Sequence, residues 1–376
     1  MNRLAILGST GSIGRSCLEV VRHRPDDFQV TALVAGSSEQ ALREQAAEFA
    51  PAISVLAGAE RTPGDWPGQV AIGGDAVEEV VCRDDVDIVV AAIVGAAGLR
   101  STVAAAKAGK RIALANKEAM VVAGGLVRSI ADASGSEIWP VDSEHSALLQ
   151  AMQSGPRERV RKVILTASGG QFRTTPADEL DSVTPEQAGR HPTWNMGPKI
   201  TIDSGTLMNK ALEVIEAAWL FDLPAGQIDV VVHPQSIVHG LVEFVDGSVL
   251  AQMSPPDMRL PIQLALTWPD RLTAPTEPLD LAALSQLDFE APDTTRFPAL
   301  LLGYDVLRRG GTAGAVLNAA NEVAVDRFCR REIRFPEIAR LCEDVLARHD
   351  HESDPTLDTL FAHDALARQE AHSWNG

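Results

Sequence analysis

The opening residues, Met1-Asn2-Arg3-Leu4-Ala5-Ile6-Leu7-Gly8-Ser9-Thr10-Gly11-Ser12-Ile13-Gly14, decide how the rest of the chain is read. A short apolar run leads through glycines into a stretch with Ile13, Cys17, Leu18 and Val21 at helical spacing, which is a buried strand feeding a helix rather than a signal peptide. Glycines let the main chain turn tightly and approach a pyrophosphate, whose charge is stabilised by open N–H groups at the helix N-terminus. The spacing is GxxGxxG, a variant of the dinucleotide fingerprint, and its place behind the first strand is what gives it weight. A glycine-rich turn without a ligand is the plainer alternative.

Working outward, Val-, Ile-, Leu- and Ala-rich runs at 3–7, 29–35, 52–56, 87–92, 111–115 and 137–141 alternate with helical stretches, one of which, 99–108, stops at Gly109. This predicts a doubly wound α/β domain over 1–142. An NAD site places a carboxylate at the end of the second strand to hold the ribose 2′-OH. That strand here ends Val34-Ala35-Gly36-Ser37-Ser38, and the first acid is Glu39. Hydroxyls and amides would meet a 2′-phosphate without like charge, so NADP is favoured over NAD. Ala91-Ala92-Ile93-Val94-Gly95 is a small-residue strand end beside which a cofactor could lie, or simply a tightly packed one.

The chain has 376 residues, 45% hydrophobic and 22% charged, enough for two or three domains at roughly 150 residues each. With 33 Lys and Arg against 51 Asp and Glu, the net charge is −18, which repels phosphate backbones and anionic lipid and argues against nucleic-acid and membrane partners. No apolar run approaches the roughly 20 residues that span a bilayer. Cys17, Cys82, Cys329 and Cys342 form no CxxC pair, as expected of reduced thiols in the cytoplasm, and offer no thiolate zinc site.

Residues 143–267 read as an α+β domain, with a strand at 160–166, an irregular stretch at 169–199, a helix at about 205–221 and a hairpin of 237–245 and 248–253 about Asp246-Gly247, a dipeptide favoured in type I′ turns. A proline-rich linker (268–293) and a helical bundle (294–376) follow. Asp142 and Glu144 are two residues apart at a predicted strand end, where positions i and i+2 share a face. Asn209, Lys210 and Glu213 share one flank of the later helix, with Leu207, Met208, Leu212 and Ile215 toward the core. Three acids without a cysteine suit a hard ion, Mg²⁺ or Mn²⁺, although acids at strand ends and helix flanks are ordinarily solvated surface. Ser204 as a helix cap, Asn209, Lys210 and the Ser168-Gly169-Gly170 turn would together hold a phosphate. His191-Pro-Thr-Trp194-Asn-Met196-Gly-Pro-Lys199 reads as a lid, or else as a loop packed on the core. His233 and His239 at a strand start, and Asn318, Asn321 and Glu322, read as hydrogen-bonded core or capping groups.

The blocks Gly8-Ser-Thr-Gly-Ser-Ile-Gly14, Ala115-Asn-Lys-Glu118, Pro140-Val-Asp-Ser-Glu-His145, Ser168-Gly-Gly170, His191-Pro-Thr-Trp194, Asp203-Ser204 with Met208-Asn-Lys210 and Glu213, His233-Pro-Gln-Ser236 and Pro256-Asp-Met-Arg259 occur in one order. In that combination the chain resembles the 1-deoxy-D-xylulose 5-phosphate reductoisomerases of the non-mevalonate isoprenoid pathway. The resemblance implies a V-shaped homodimer using NADPH and Mg²⁺ or Mn²⁺ to convert 1-deoxy-D-xylulose 5-phosphate to 2-C-methyl-D-erythritol 4-phosphate. It implies that Asp142, Glu144 and Glu213 ligate the metal, with Ser143 holding substrate beside it. Lys117 and His191 join these acids as catalytic groups. Ser168, Ser204, Asn209 and Lys210 would hold the phosphate; His191, Trp194 and Met196 would cover the substrate; Ser236, His239 and Met258 would line the same pocket. The cofactor would touch Gly8, Ser9, Thr10, Gly11, Ser12, Ile13, Gly36, Ser37, Ser38, Ala92, Asn116, Lys117, Glu118, Met196 and Gly197. The chain departs from the family pattern at Gly205 and Ala211, where Ala and Gly are more usual, at Ser37, where some relatives carry Lys, and at Ser254-Pro255, which replaces a glycine-containing pair. A simpler NADP dehydrogenase that leaves the carbon skeleton intact, or a non-enzymatic NADP-sensing module, would share the first turn but give no reason for the acids.

Overall fold

The computed structural model describes residues 1–194 and 196–376, which form two compact units. The first comprises Met1–Ala119, Val127–Ser146 and Asp257–Glu277; the second comprises Met120–Leu126, Ala147–Pro256 and Pro278–Gly376.

The first unit is built on a seven-stranded sheet with the order β4-β3-β2-β1-β5-β6-β7, parallel throughout. Its strands are β1 (Asn2–Leu7), β2 (Phe28–Ala35), β3 (Ile53–Leu56), β4 (Val70–Ile72), β5 (Ile88–Ala91), β6 (Arg111–Leu114) and β7 (Glu137–Pro140). The connecting helices are α1 (Ser12–His23), α2 (Glu39–Phe49), α3 (Gly74–Val81), α4 (Leu99–Lys107) and α5 (Lys117–Ser134), the last passing through both units. Leu4, Ile6, Leu33, Leu56 and Val90 are at most 1% exposed, so the strands read as continuous apolar runs because both faces are covered. Strand order reverses at β1 and β5, the position where doubly wound sheets open a crevice beyond their carboxyl ends. Gly109, at φ +67°, follows α4 as expected of a left-handed helix end. After α6 (Ser143–Met152) the chain leaves this unit, and it returns with α10 (Arg259–Thr267), whose Ile262, Ala265 and Leu266 pack into the same core as Leu18 and Val21 of α1.

The second unit carries a four-stranded mixed sheet, β11-β10-β8-β9, formed by β8 (Val160–Ala167), β9 (Ile228–Val232), β10 (Val238–Phe244) and β11 (Val249–Met253). Only β8 and β9 are parallel. Its helices before β9 are α7 (Pro185–Ala188), α8 (Pro198–Thr206) and α9 (Met208–Phe221); after β11 come α11 (Leu281–Leu284), α12 (Ala299–Arg309), α13 (Ala313–Cys329), α14 (Glu337–Arg348) and α15 (Leu357–Ser373). From 294 onward the regular elements are all helical, as periodicity predicts.

Three expectations are corrected. β4 and β9 go beyond the expected strands: Val70–Ile72 is a half-buried edge of only three residues, whereas Ile228–Val232 is a β-branched run with a clear strand signal, ending directly before His233-Pro234. His233 therefore follows a strand instead of starting one. The hairpin does not use a type I′ turn. Gly247 has φ +86° while Asp246 stays at negative φ, Gly247 N–H donates to Phe244 O at 3.0 Å, and the Asp246 carboxylate accepts from Ser248 N–H at 2.9 Å, a three-residue loop closed by one left-handed glycine. Among the described residues, no helix is long and apolar enough to cross a membrane.

Candidate active site

In the first unit the candidate groups lie at the carboxyl ends of the parallel strands. Gly8, at φ +77°, ends β1, and a Cβ there would fall 2.5 Å from Ala92 O; a Cβ on Gly14 would fall 2.4 Å from Gly8 O. These glycines are therefore required by close main-chain approach. Gly11 stands at the N-cap of α1 with no side-chain hydrogen bond, so the first-turn amides face outward without a protein cap. Ser9 is fully buried, and its hydroxyl donates to Gln45 Oε1 at 2.7 Å while Gln45 Nε2 returns a bond to Ser9 O at 2.9 Å. Ser9 thus braces the turn, its side chain and carbonyl against Gln45 of α2 and its N–H against Val34 O at 2.9 Å. Gly36, Ser37 and Ser38 are exposed, and Glu39 beyond them is paired with Arg43 at 2.9 Å.

Asn116 caps α5, accepting from Ala119 N–H at 2.7 Å and donating to Gly95 O at 2.9 Å and to Ile93 O. That cap fixes the entry to α5, where Lys117 and Glu118 are 7% and 4% exposed. Lys117 Nζ meets Asp142 Oδ2 at 2.6 Å. The expected extended i, i+2 pair is not what holds the acids. β7 ends at Pro140, Asp142 precedes α6, and Glu144 lies in the first turn of that helix, bonded by the Ser143 hydroxyl. Met258 sits before α10 and packs against the core of this first unit.

In the second unit a hydrogen-bonded chain joins three candidates. His191 Nε2 lies 3.0 Å from Ser168 Oγ and 3.2 Å from Ser204 Oγ, and its Nδ1 accepts from Thr193 N–H at 3.1 Å and Trp194 N–H at 2.9 Å. Two main-chain donors on Nδ1 define a neutral imidazole with its proton on Nε2, the form that burial also favours by lowering the His191 pKa. Ser204 is not a helix cap: it lies inside α8, and the break before α9 comes at Leu207, in the left-handed region at φ +62°. From the first turn of α9, Asn209 and Lys210 both donate to the Glu213 carboxylate. Lys210 and Glu213 are 3% and 1% exposed, so this is a compensated buried pair.

Trp194 and Met196 are half-buried rather than exposed, and the Trp194 ring lies 6.1 Å from that of His239. Gly197 caps α8, and Asn195 lies outside the described residues. Ser236 holds a left-handed conformation at φ +53°, and the buried His239 bonds Ser254 O at 3.1 Å, its pKa lowered by burial. His233 is fully buried against Phe289 and bonds Asp288 O at 2.8 Å. Asn318, Asn321 and Glu322 are bundle groups as expected, Asn321 bonding Asp203 Oδ1 at 3.0 Å. Sequence reading missed Gln45, whose bond to Ser9 is a long-range contact with no local signal, and Asp203, paired with Lys199 at 3.0 Å.

With this geometry in hand, the chain can be set beside known proteins. Residues 4–124 match the family model of 1-deoxy-D-xylulose 5-phosphate reductoisomerase, 138–221 that of its C-terminal domain, and 253–370 the DXP reductoisomerase C-terminal domain. The chain is 51% identical over 380 residues to the 1-deoxy-D-xylulose 5-phosphate reductoisomerase of Chlorobium chlorochromatii, covering 100% of each. It is similar, at a TM-score of 0.91 and 42% identity over 99% of this chain and 98% of the other, to the Zymomonas mobilis reductoisomerase in complex with NADPH. A DOX-P reductoisomerase in complex with NADPH, fosmidomycin and magnesium gives a TM-score of 0.91 at 40% identity, covering 99% of this chain and 98% of that one. The chain therefore belongs to the 1-deoxy-D-xylulose 5-phosphate reductoisomerase family.

Proposed function

We propose that this protein converts 1-deoxy-D-xylulose 5-phosphate and NADPH to 2-C-methyl-D-erythritol 4-phosphate and NADP⁺, with a divalent cation, in isoprenoid precursor synthesis. One observation carries the reading. Within the first unit, the glycine turn after β1 and the acids that follow β7 lie at the carboxyl edge of the same parallel sheet, with Lys117 between them at the end of β6. A dehydrogenase without a rearrangement needs the glycine turn but gives no reason for Asp142, Glu144 and a lysine set against them.

The residues fit both groups. The open amides at the start of α1 and the Gly8 and Gly14 approaches suit a pyrophosphate, and the exposed Ser37 and Ser38 present no carboxylate to a 2′-phosphate. We assign Gly8, Ser9, Thr10, Gly11, Ser12, Ile13, Gly36, Ser37, Ser38, Ala92, Asn116, Lys117, Glu118, Met196 and Gly197 to the cofactor, which supplies the hydride. Asp142, Glu144 and Glu213 are the residues that would hold a divalent cation, their oxygen donors suiting Mg²⁺ or Mn²⁺, and such an ion would supply Lewis acidity to the rearrangement.

The protein's own groups do the rest. Ser143 orients the substrate beside the acids. Lys117 balances the Asp142 charge and reaches toward the reacting oxygens. Ser168, Ser204, Asn209 and Lys210 anchor the phosphate and so fix the carbon chain. The His191 Nε2–H donates to the serine hydroxyls of that anchor, and Trp194, Met196, Ser236 and His239 exclude water from the substrate, with Met258 assigned to the substrate as well. On this reading 1–142 carries the cofactor, 143–267 the catalytic groups and lid, 268–293 the link and 294–376 the helical tail, in a cytoplasmic homodimer.

The test is NADPH oxidation with purified protein, 1-deoxy-D-xylulose 5-phosphate and Mg²⁺. Glu213→Gln or a chelator should abolish turnover while NADPH still binds. Full activity under either condition, or a product with the substrate's carbon skeleton, refutes the assignment.

A further inference from the structure

The segment between α7 and α8 carries His191, Trp194 and Met196, and its two roots are held by one side chain that belongs to neither helix. Gln171 Nε2 donates to Ala188 O, the last residue of α7, at 2.6 Å and to Thr201 O, in the first turn of α8, at 3.4 Å. Its amide orientation is fixed by chemistry, since a flipped amide would set Oε1 against two carbonyls. The other end of the amide is equally confined. Gln171 Oε1 is buried without a partner among the described residues, and a Cβ built on Gly205 would fall 2.9 Å from Nε2, 3.1 Å from Cδ and 3.2 Å from Oε1. The main chain just before it is also fixed, because a Cβ on Gly170 would lie 2.6 Å from Ser204 O.

We propose that Gln171 is a positioning residue that ties the two roots of the 189–200 segment together, and that position 205 is a glycine because any side chain there would displace the amide. The tie acts through the segment: with Ala188 and Thr201 held, His191 is delivered to Ser168 and Ser204 at a fixed reach. Without it the segment samples more arrangements, and substrate must select the competent one, which weakens apparent affinity without altering the reacting groups. The consequence for substrate rests on the proposed function; the tie itself does not.

Gln171→Met keeps the volume and removes the donor. It should raise KM for 1-deoxy-D-xylulose 5-phosphate about tenfold, the loss of a buried amide hydrogen bond expressed as affinity, with kcat within about threefold and NADPH affinity unchanged. Gly205→Ala should do the same by displacing the amide. Because alanine fits once the glutamine is shortened, Gln171→Ala with Gly205→Ala should be no worse than Gln171→Ala alone. Amide hydrogen exchange across 189–200, measured on the full chain, should accelerate in each single variant while the strands of the β8 sheet stay protected. Additive effects in the double variant, or unchanged KM with unchanged exchange, overturn the proposal. Should the wild-type protein turn over no 1-deoxy-D-xylulose 5-phosphate, the proposed function fails, and the exchange experiment still decides the tie.

Discussion

Lys117 Nζ sits 2.6 Å from Asp142 Oδ2 with only 9% and 11% of the two side chains exposed, so in this structure the ammonium is the counter-charge of a proposed metal ligand. Removing the ammonium takes away the nearest counter-charge of a buried carboxylate, which keeps His145 Nδ1 at 3.9 Å, and costs at most about 3–5 kcal/mol. Lys117→Met should therefore lower the melting temperature in chelator. Added Mg²⁺ should restore more stability to the variant than to the wild type, because the ion then supplies the missing charge. Equal Mg²⁺-induced shifts in both proteins would separate Asp142 from the ion.

Gly14→Ala probes the cofactor turn. Its Cβ would sit 2.4 Å from Gly8 O and 2.5 Å from Ser9 Cα, main-chain atoms that cannot swing aside. Overpacking at such a point should cost about 2–4 kcal/mol in urea unfolding, and NADPH affinity should fall at least about tenfold as the first turn of α1 is pushed away. Wild-type NADPH titration by this variant would contradict the assignment of the turn.

His191 predicts an acid limb in substrate affinity. Burial lowers its pKa, and the neutral form is the one whose Nδ1 accepts from Thr193 and Trp194. A folded-state value below the unfolded one means its contribution is complete above the ordinary imidazole range and is lost as pH falls through the lowered value. KM for the sugar phosphate should be flat at neutral pH and climb on acidification, and His191→Gln should raise KM and remove that climb. A profile identical in the two proteins would refute the role.

The C-terminal helices carry a second acid sensitivity. His349, bonded to Thr312 Oγ1 at 2.7 Å and packed 4.9 Å from the His363 ring, has its pKa depressed from 6.5 to about 4 by burial and by the neighbouring His363 and His351, with Asp350 opposing. The unfolded chain takes up the proton first, so stability is full above about pH 6.5 and declines as pH falls toward 4. Discounted for its partial exposure, the loss is about 1–2 kcal/mol. His349→Asn should flatten urea stability across that window.

How much of this was legible depended on how local the cause is. The first turn could be read because strand, glycines and helix are contiguous, and the acids because oxygen donors without thiols restrict the ion. Asp142 and Glu144 were recognised for the wrong geometric reason: the strand stops at Pro140 and Glu144 enters a helix, a boundary that hydrophobic patterning does not mark. Ser204 was misplaced because the break in the helical run falls on Leu207, where no glycine or proline announces it. Gln171 carries no local signal, and Gly205 stands out only as a departure from the family pattern, because their meaning lies in a contact between them that is remote in sequence.

Leu207 has a cost that the chain retains. A leucine held left-handed at φ +62° costs roughly 1–2 kcal/mol against a glycine, yet its side chain is only 3% exposed and could not be dispensed with freely. The corner it makes sets α8, with Ser204, and α9, with Lys210 and Glu213, on separate axes, where a straight continuous helix would keep all three in one fixed register. Thermostabilised descendants of this protein selected only for heat resistance should therefore drift at this corner early, and they should lose phosphate affinity before they lose their fold.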